Sequence, residues 1–592
     1  MIEFEEIQQD TPIEEFVDLE KSFVVADIGN TNTTVILVDT VAGSYRLLSR
    51  ASVPTTIALP WLDVTLGVQQ AVRRISEVTG RTLLNERGEL ITPPRKDGSG
   101  VDHFTAVVSA PVPLKVVIIG LYDEMSIASA RKALHTIFVT ESDLISLADT
   151  RSEDEQISAI IRQEPDLIFI VGGTDGGAEE KLSQLIEAAG IAAHALAENK
   201  RPHVLYAGNI NLREQVRSLM SEKAHIHMAD NVRPDLQTEQ IDDAIGIIND
   251  LYENIKIRDI PGIPELNDWA SFPLSSAARS FSDVAQYFAA LQEQKVLGVD
   301  LGSNHVSILL AEAERAQLSI HTDLGMGQPV VNLLQKVALA DIARWIPTEI
   351  DGEEVADYIY NKSIHPQTIP MVESDLYLEQ AVAREILCCA LQVTAVEWDW
   401  SQIGRQVRLP QFSLLLARGS VLANAPRPGQ VMLLLLDALQ PTGIFAVALD
   451  QYGVLPPLGA LAPHEPLPVV QALEAGVLSD LGWVIAPTGR GQTGKKALDV
   501  VVESEQGRFE GEAEFGKLEV IPIAPGKEAK VTINPSGRLD IGFGPGQKHT
   551  MTILGGRVGG LIIDARGRPL TLPQDDDDRR SLVRKWHWDL GG

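Results

Sequence analysis

Cysteine is nearly absent from this chain of 592 residues, which holds two, the adjacent Cys388 and Cys389. That excludes a disulfide framework and a cysteine-built structural zinc site, and it points to a reducing compartment. Positive charge is also scarce: 50 Lys and Arg stand against 81 Asp and Glu, for a formal charge of −31. Phosphodiester backbones would be repelled, so no nucleic-acid partner is expected. No basic residue precedes Lys21, the opposite of the charged start of a secretory signal, and a cytoplasmic protein is expected. Long apolar runs are missing as well. Val431 to Leu436 is broken at Asp437 and falls far short of the roughly 20 residues a spanning helix needs, so no membrane span is expected.

What is present is ample core material. A hydrophobic content of 44%, in a chain well beyond the size at which one core stops growing, implies two to four domains. The pattern organises around residues 23–39, where two apolar runs, each the length of one buried strand, flank the polar turn Gly29-Asn30-Thr31-Asn32-Thr33. Small residues let the backbone approach a ligand and point N–H groups outward. Asp27, at the end of the first run, could hold a metal-bound water or orient an attacking one, while Thr31, Thr33 and the turn amides would donate to phosphate oxygens. An ordinary hairpin, in which Asn and Gly serve only the turn, is the other reading.

A second copy favours the phosphate reading. Residues 296–310 repeat the plan of apolar strand, Asp300, apolar residue, Gly302, small polar turn beginning at Ser303, and apolar strand. Two copies of strand-Asp-x-Gly-turn-strand imply a phosphate cleft between two related α/β domains. Between the copies, strands alternate with helices, and one strand ends in Gly172-Gly173-Thr174-Asp175-Gly176-Gly177. That loop lies where an α/β sheet would present groups to a ligand; a plain strand-to-helix connection is the alternative. After about Gly482 the texture changes to short alternating strands with Pro and Gly turns, which reads as a small β-barrel or sandwich.

The expected divisions are an acidic tail over 1–20, a first domain over 21–260, a proline-bearing linker over 261–295, a second domain over 296–480, the β region over 481–574 and a charged, aromatic tail over 575–592. His225-Ile226-His227 puts two imidazoles on one face of a strand, but no third ligand is evident nearby and they read as surface or core histidines. Cys388-Cys389 reads as core.

The paired Asp-x-Gly hairpins resemble the actin, sugar-kinase and heat-shock chaperone superfamily. Within it the chain looks most like the glutamate mutase accessory proteins of the MutL (GlmL) family. The strings carrying that likeness are residues 26–33, 54–56, 171–177, 206–209, 299–302, 435–443 and 458–462; Gly-Gly-Thr-Asp-Gly-Gly and Leu-Asp-Ala-Leu-Gln-Pro-Thr-Gly are the more family-specific. The resemblance implies two actin-like (ribonuclease H-like) domains around an ATP cleft, possible ATP hydrolysis, and service to an adenosylcobalamin-dependent mutase by nucleotide-driven release of inactivated cofactor. It also implies that Asp27 and Asp300 face each other and hold Mg2+ through water. Gly29 to Thr33, Gly302 and Ser303 would cradle phosphates, and Gly419 would let adenine approach the backbone.

Two departures stand out. The second hairpin usually continues Gly-Gly-Ala-Thr-Thr-Asp, but here residues 302–307 read Gly-Ser-Asn-His-Val-Ser and lose both threonine hydroxyls. The adenosine-side strand end usually reads Gly-Gly and is here Arg418-Gly419, a long cation where adenine would need bare backbone. The competing expectation is therefore a degenerate actin-like scaffold that binds partners or forms a homo-oligomer without ATP turnover. A small-molecule kinase of the same fold ranks last, because no acceptor site is assignable.

Overall fold

The computed structural model describes residues 21–109, 112–222 and 224–591; the acidic segment 1–20 lies outside them. The first apolar run forms the strand Phe23–Ile28, buried at every position. It pairs antiparallel with Asn32–Val41 and parallel with His103–Val108. Flanked on both edges and covered on both faces, it has no polar side to present, which is why its sequence is continuously apolar rather than alternating. Ser44–Pro54 and Ser275–Ser276 complete a sheet of five strands.

The second run repeats this. Val296–Leu301, also buried throughout, pairs antiparallel with Val306–Ala311 and parallel with Leu414–Arg418. Each central strand therefore carries its Asp at the carboxyl end, beside a hairpin turn and a parallel neighbour. The fold is the expected mixed α/β class, with two halves built on the same strand plan and an all-β region toward the C-terminus.

Two features of the topology were not visible in the sequence. The chain leaves the first sheet after Val108 and returns to it at Ser275, and the strands between build a sheet of their own. Its five strands are all parallel, in the spatial order 139–145, 114–119, 167–172, 203–208, 225–228. The stretch 261–295 is likewise more than a connection: it holds the helices Ile263–Trp269 and Ala277–Gln292. Pro264 sits in the first turn of its helix, where the missing N–H is not needed.

In the C-terminal region, Ser479–Ala486, Gly560–Asp564 and Leu518–Pro522 prolong the second sheet to eight strands. A four-stranded antiparallel sheet, 496–554 in extent, packs against that end around Val500, Val531, Ile485 and Ile563. One layer of this β region is thus the end of the second sheet itself. Among the described residues, no helix is long and apolar enough to cross a membrane.

A buried ion network ties the two together. Asp437, in the helix Pro428–Leu439, accepts from Arg384 Nε at 3.0 Å and from Arg566 Nη1 at 2.8 Å, and Asp564 takes Arg566 and Arg568 at 2.8 and 2.7 Å. These guanidiniums hold the Asp564 carboxyl well below the usual range despite its burial. Removing one buried partner strands the others' charge and costs about 3–5 kcal/mol. Asp437→Ala is expected to lower the first thermal transition of the full chain in calorimetry, whereas the exposed pair member Asp577→Ala leaves it in place.

Candidate active site

The two hairpins close in the same way. Gly29 N–H donates to Asn32 O and Gly302 N–H to His305 O, each at 3.0 Å. Gly29 is required by that turn, since a methyl there would lie 2.8 Å from Asn32 O. Thr55 buttresses the first turn from behind: its N–H donates to Thr31 O at 3.0 Å, and Thr33 Oγ1 reaches Thr55 Oγ1 at 3.4 Å. Thr33 is fully buried by that contact and does not line the crevice, contrary to its expected role as a phosphate donor. Alternation along the strand turns it inward, whereas its neighbours Asn32 and Thr34 line the crevice. Among the described residues the buried Thr31 Oγ1 finds no hydrogen-bond partner.

Asp27 and Asp300 meet across a crevice of about 340 Å³ that both hairpin turns line. One side chain joins them. Arg418 Nη2 lies 3.0 Å from Asp27 Oδ2 and Nη1 lies 2.9 Å from Asp300 Oδ2. Strand register puts it there, because Asp300 is the direct parallel partner of Arg418, just as Asp27 is the partner of Val107. The arginine expected to crowd an adenine points instead between the carboxylates. Gly419, expected to admit adenine, is needed by the strand beside it: its φ is +120° and a methyl would lie 2.1 Å from Leu301 O.

All three charged groups are nearly buried, with exposures of 7, 5 and 8% for Asp27, Asp300 and Arg418, and their environments push the two acids apart. Burial raises the Asp27 carboxyl, and the nearby charge of Asp300 adds to that rise, against the lowering by Arg418 and by the Ser109 hydroxyl 3.0 Å from Oδ1. At Asp300 the same burial is outweighed by Arg418 together with His305, whose Nε2 lies 3.7 Å away, and the carboxyl falls below its ordinary value. Asp27 is thus the member that takes a proton first. His305 is seated edge-on against Phe138 with ring centroids 4.8 Å apart.

A divalent ion does not fit this arrangement. The guanidinium occupies the space between the two carboxylates, where the ion would have to sit, and brings a single positive charge of its own; among the described residues no group of three His, Cys, Asp or Glu is placed to hold a metal. His203 adds a third imidazole beside His225 and His227, with Nδ1 3.0 Å from His227 Nε2, yet that trio does not converge on a metal position either. Arg418 engages Oδ2 of each carboxylate, and Ser109 engages Oδ1 of Asp27. What the crevice offers an anion is turn amides, Thr31 Oγ1 and the unpartnered Arg418 Nε.

Gly172 to Gly177 lie elsewhere, at the carboxyl end of Leu167–Gly172 in the separate parallel sheet. There the loop is tied down by neighbours: Gly176 N–H donates to Asn209 Oδ1, and Asn231 Nδ2 donates to Gly173 O and Asp175 Oδ1. None of these residues lines the crevice. The α/β alternation along the chain is the same for one sheet or two, so the sequence pattern could not separate them. Residues that the motif reading missed are Ser109, Arg50 and Asp450. Asp450 accepts the N–H groups of Val454 and Leu455, each at 2.9 Å, and faces the crevice; its signal was an Asp directly after a buried apolar strand.

The family described as MutL protein matches residues 23–476. A curated relative, "Protein MutL" of Clostridium tetanomorphum, is 22% identical over 445 residues, covering 69% of this chain and 88% of its own. Among solved structures, gluconate kinase from Lactobacillus acidophilus aligns with a TM-score of 0.32 at 9% identity, over 79% of this chain and 94% of its own. Diol dehydratase-reactivating factor aligns at 0.28 and 10% identity, over 77% and 99% respectively.

Arg418→Leu leaves two buried carboxylates without their cation, at a cost of about 3–5 kcal/mol. Both carboxyls then titrate higher in the folded than in the unfolded chain. Such groups destabilise the fold when ionised, and the penalty fades as pH falls through their folded values. The drop in melting midpoint relative to wild type is expected to be largest near about pH 8 and to shrink toward about pH 5; a drop independent of pH would contradict the ion-pair assignment.

Proposed function

Because the chain belongs to the MutL protein family, we propose that it is an actin-like accessory protein that binds ATP between its two Asp-bearing hairpins and serves an adenosylcobalamin-dependent mutase by helping inactivated cofactor to leave. The observation that carries this reading is the convergence of Asp27 and Asp300, 273 positions apart in the sequence, on one guanidinium in one crevice. The turn amides of residues 30–32 and 303–304 and Thr31 Oγ1 would hold phosphoryl oxygens, with Arg418 as the cation beside them. Since Arg418 already bridges the two carboxylates and fills the place between them, binding needs no magnesium. Hydrolysis is slow, because Arg418 holds one oxygen of each carboxylate that would position a water.

A second reading has its own support. Arg418 and Asp300 come from one sheet and Asp27 from the other, so the same ion pairs latch the two halves together, as a scaffold without nucleotide turnover would require. Calorimetric titration of the full chain with ATP separates the two. Binding is expected both in EDTA and in magnesium, with affinities within about threefold, and Arg418→Gly is expected to make binding magnesium-dependent by about tenfold. Absence of binding under both conditions leaves the scaffold. The mutase role is tested by adding the protein and ATP to a cobalamin mutase stalled on damaged cofactor; turnover that stays stalled removes it.

A further inference from the structure

Beside the crevice lies a larger cavity of about 910 Å³, and Thr31, Asn32, Ser420 and Asn424 line both, so the two are continuous. Part of its wall is the C-terminal helix Asp576–Asp589, which lies beyond the residues that the family matches. This helix is built into the fold. Asp575 caps it by accepting from Asp577 and Asp578 N–H groups at 3.0 Å, and Val583 and Trp586 are buried in the core of the second half. The Arg566 guanidinium lies 4.5 Å from the Trp586 ring centre. At Gly429 a methyl would come within 1.8 Å of Leu590 O, so only glycine lets the helix end sit this close.

Two consecutive residues of that helix line the cavity. His587 is 4% exposed, yet among the described residues neither ring nitrogen has a hydrogen-bond partner. Burial pushes its pKa down to about 3, so the imidazole is neutral and offers one donor and one acceptor. A buried ring with both nitrogens unpaired is an unmet requirement in the folded chain, and a ligand can meet it. Its ring meets Tyr377 edge-on, with centroids 5.3 Å apart. Trp588 is 81% exposed, a large indole face that the fold itself does not cover. A flat aromatic surface beside a neutral donor–acceptor group matches a heterocyclic ring with polar edges.

We infer that this cavity takes the base of the nucleotide whose phosphates lie in the crevice, with Trp588 stacking on the heterocycle and His587 bonding its edge. The C-terminal helix is thereby a ligand-binding element and not a packed tail. This rests on the reading of the crevice as a phosphate site.

The test uses the full chain, titrated in EDTA with ATP and with inorganic tripolyphosphate, as wild type, Trp588→Ala and Trp588→Phe. Stacking of a base on one aromatic side chain corresponds to about tenfold in affinity. Trp588→Ala is expected to weaken ATP by that factor and to leave tripolyphosphate and the melting midpoint unchanged, while Trp588→Phe retains most of the ATP affinity. If wild type binds ATP and Trp588→Ala binds it equally well, the base pocket is overturned and the phosphate crevice stands. Equal weakening of both ligands, or no rescue by Phe, also overturns it. If wild type binds neither ligand, the crevice reading itself has failed, and the base pocket with it.

Discussion

The guanidinium of Arg418 between two buried carboxylates is the interaction on which the rest of this molecule depends. Two ionised acids cannot share a low-dielectric crevice without a counter-charge, because desolvation and mutual repulsion both favour the neutral forms. A divalent ion and an arginine each solve that problem, with different consequences. An ion arrives with the ligand and leaves with it. An arginine is always present, so the crevice is compensated at rest and the two sheets stay linked. The opposite shifts of Asp27 and Asp300 express the same asymmetry: Asp300 has His305 as a further partner, whereas Asp27 has a neutral hydroxyl and a like charge.

The fold delivers this geometry by near-repetition. Both halves place an Asp at the end of a buried central strand, close the following turn with the same Gly N–H bond, and lay a parallel strand alongside. The copies differ at the position beside each Asp, Val107 in one and Arg418 in the other. A symmetric crevice thus acquires a cation from one side alone. The inserted parallel unit supports it indirectly, since Phe138 of that unit packs against His305.

Much of this was legible along the chain. Strand Phe23–Ile28 and its counterpart Val296–Leu301 are continuously apolar because they are central strands, and the Asp-x-Gly ends mark where they stop. Thr33 was read as a phosphate donor because of its residue type, but alternation turns it toward Thr55. The glycine loop at 172–177 was assigned to the cleft because strand–helix alternation carries no record of which sheet a strand joins. Residues 575–592 read as a charged, aromatic tail; Trp586 and His587 are buried, Trp588 is exposed, and His587 and Trp588 wall a cavity.

By itself the sequence determined the local units: two Asp-ended hairpins, the apolar strands that bear them, the change to short β strands after the second half, and the family. These depend on periodicity and turn chemistry within a few residues. Only the tertiary structure decided that Arg418 lies between the acids, that residues 114–228 form a separate sheet, and that the last helix reaches the crevice's neighbour. Those outcomes depend on which strands pair across hundreds of residues and on where long side chains point once buried, and no local pattern encodes either.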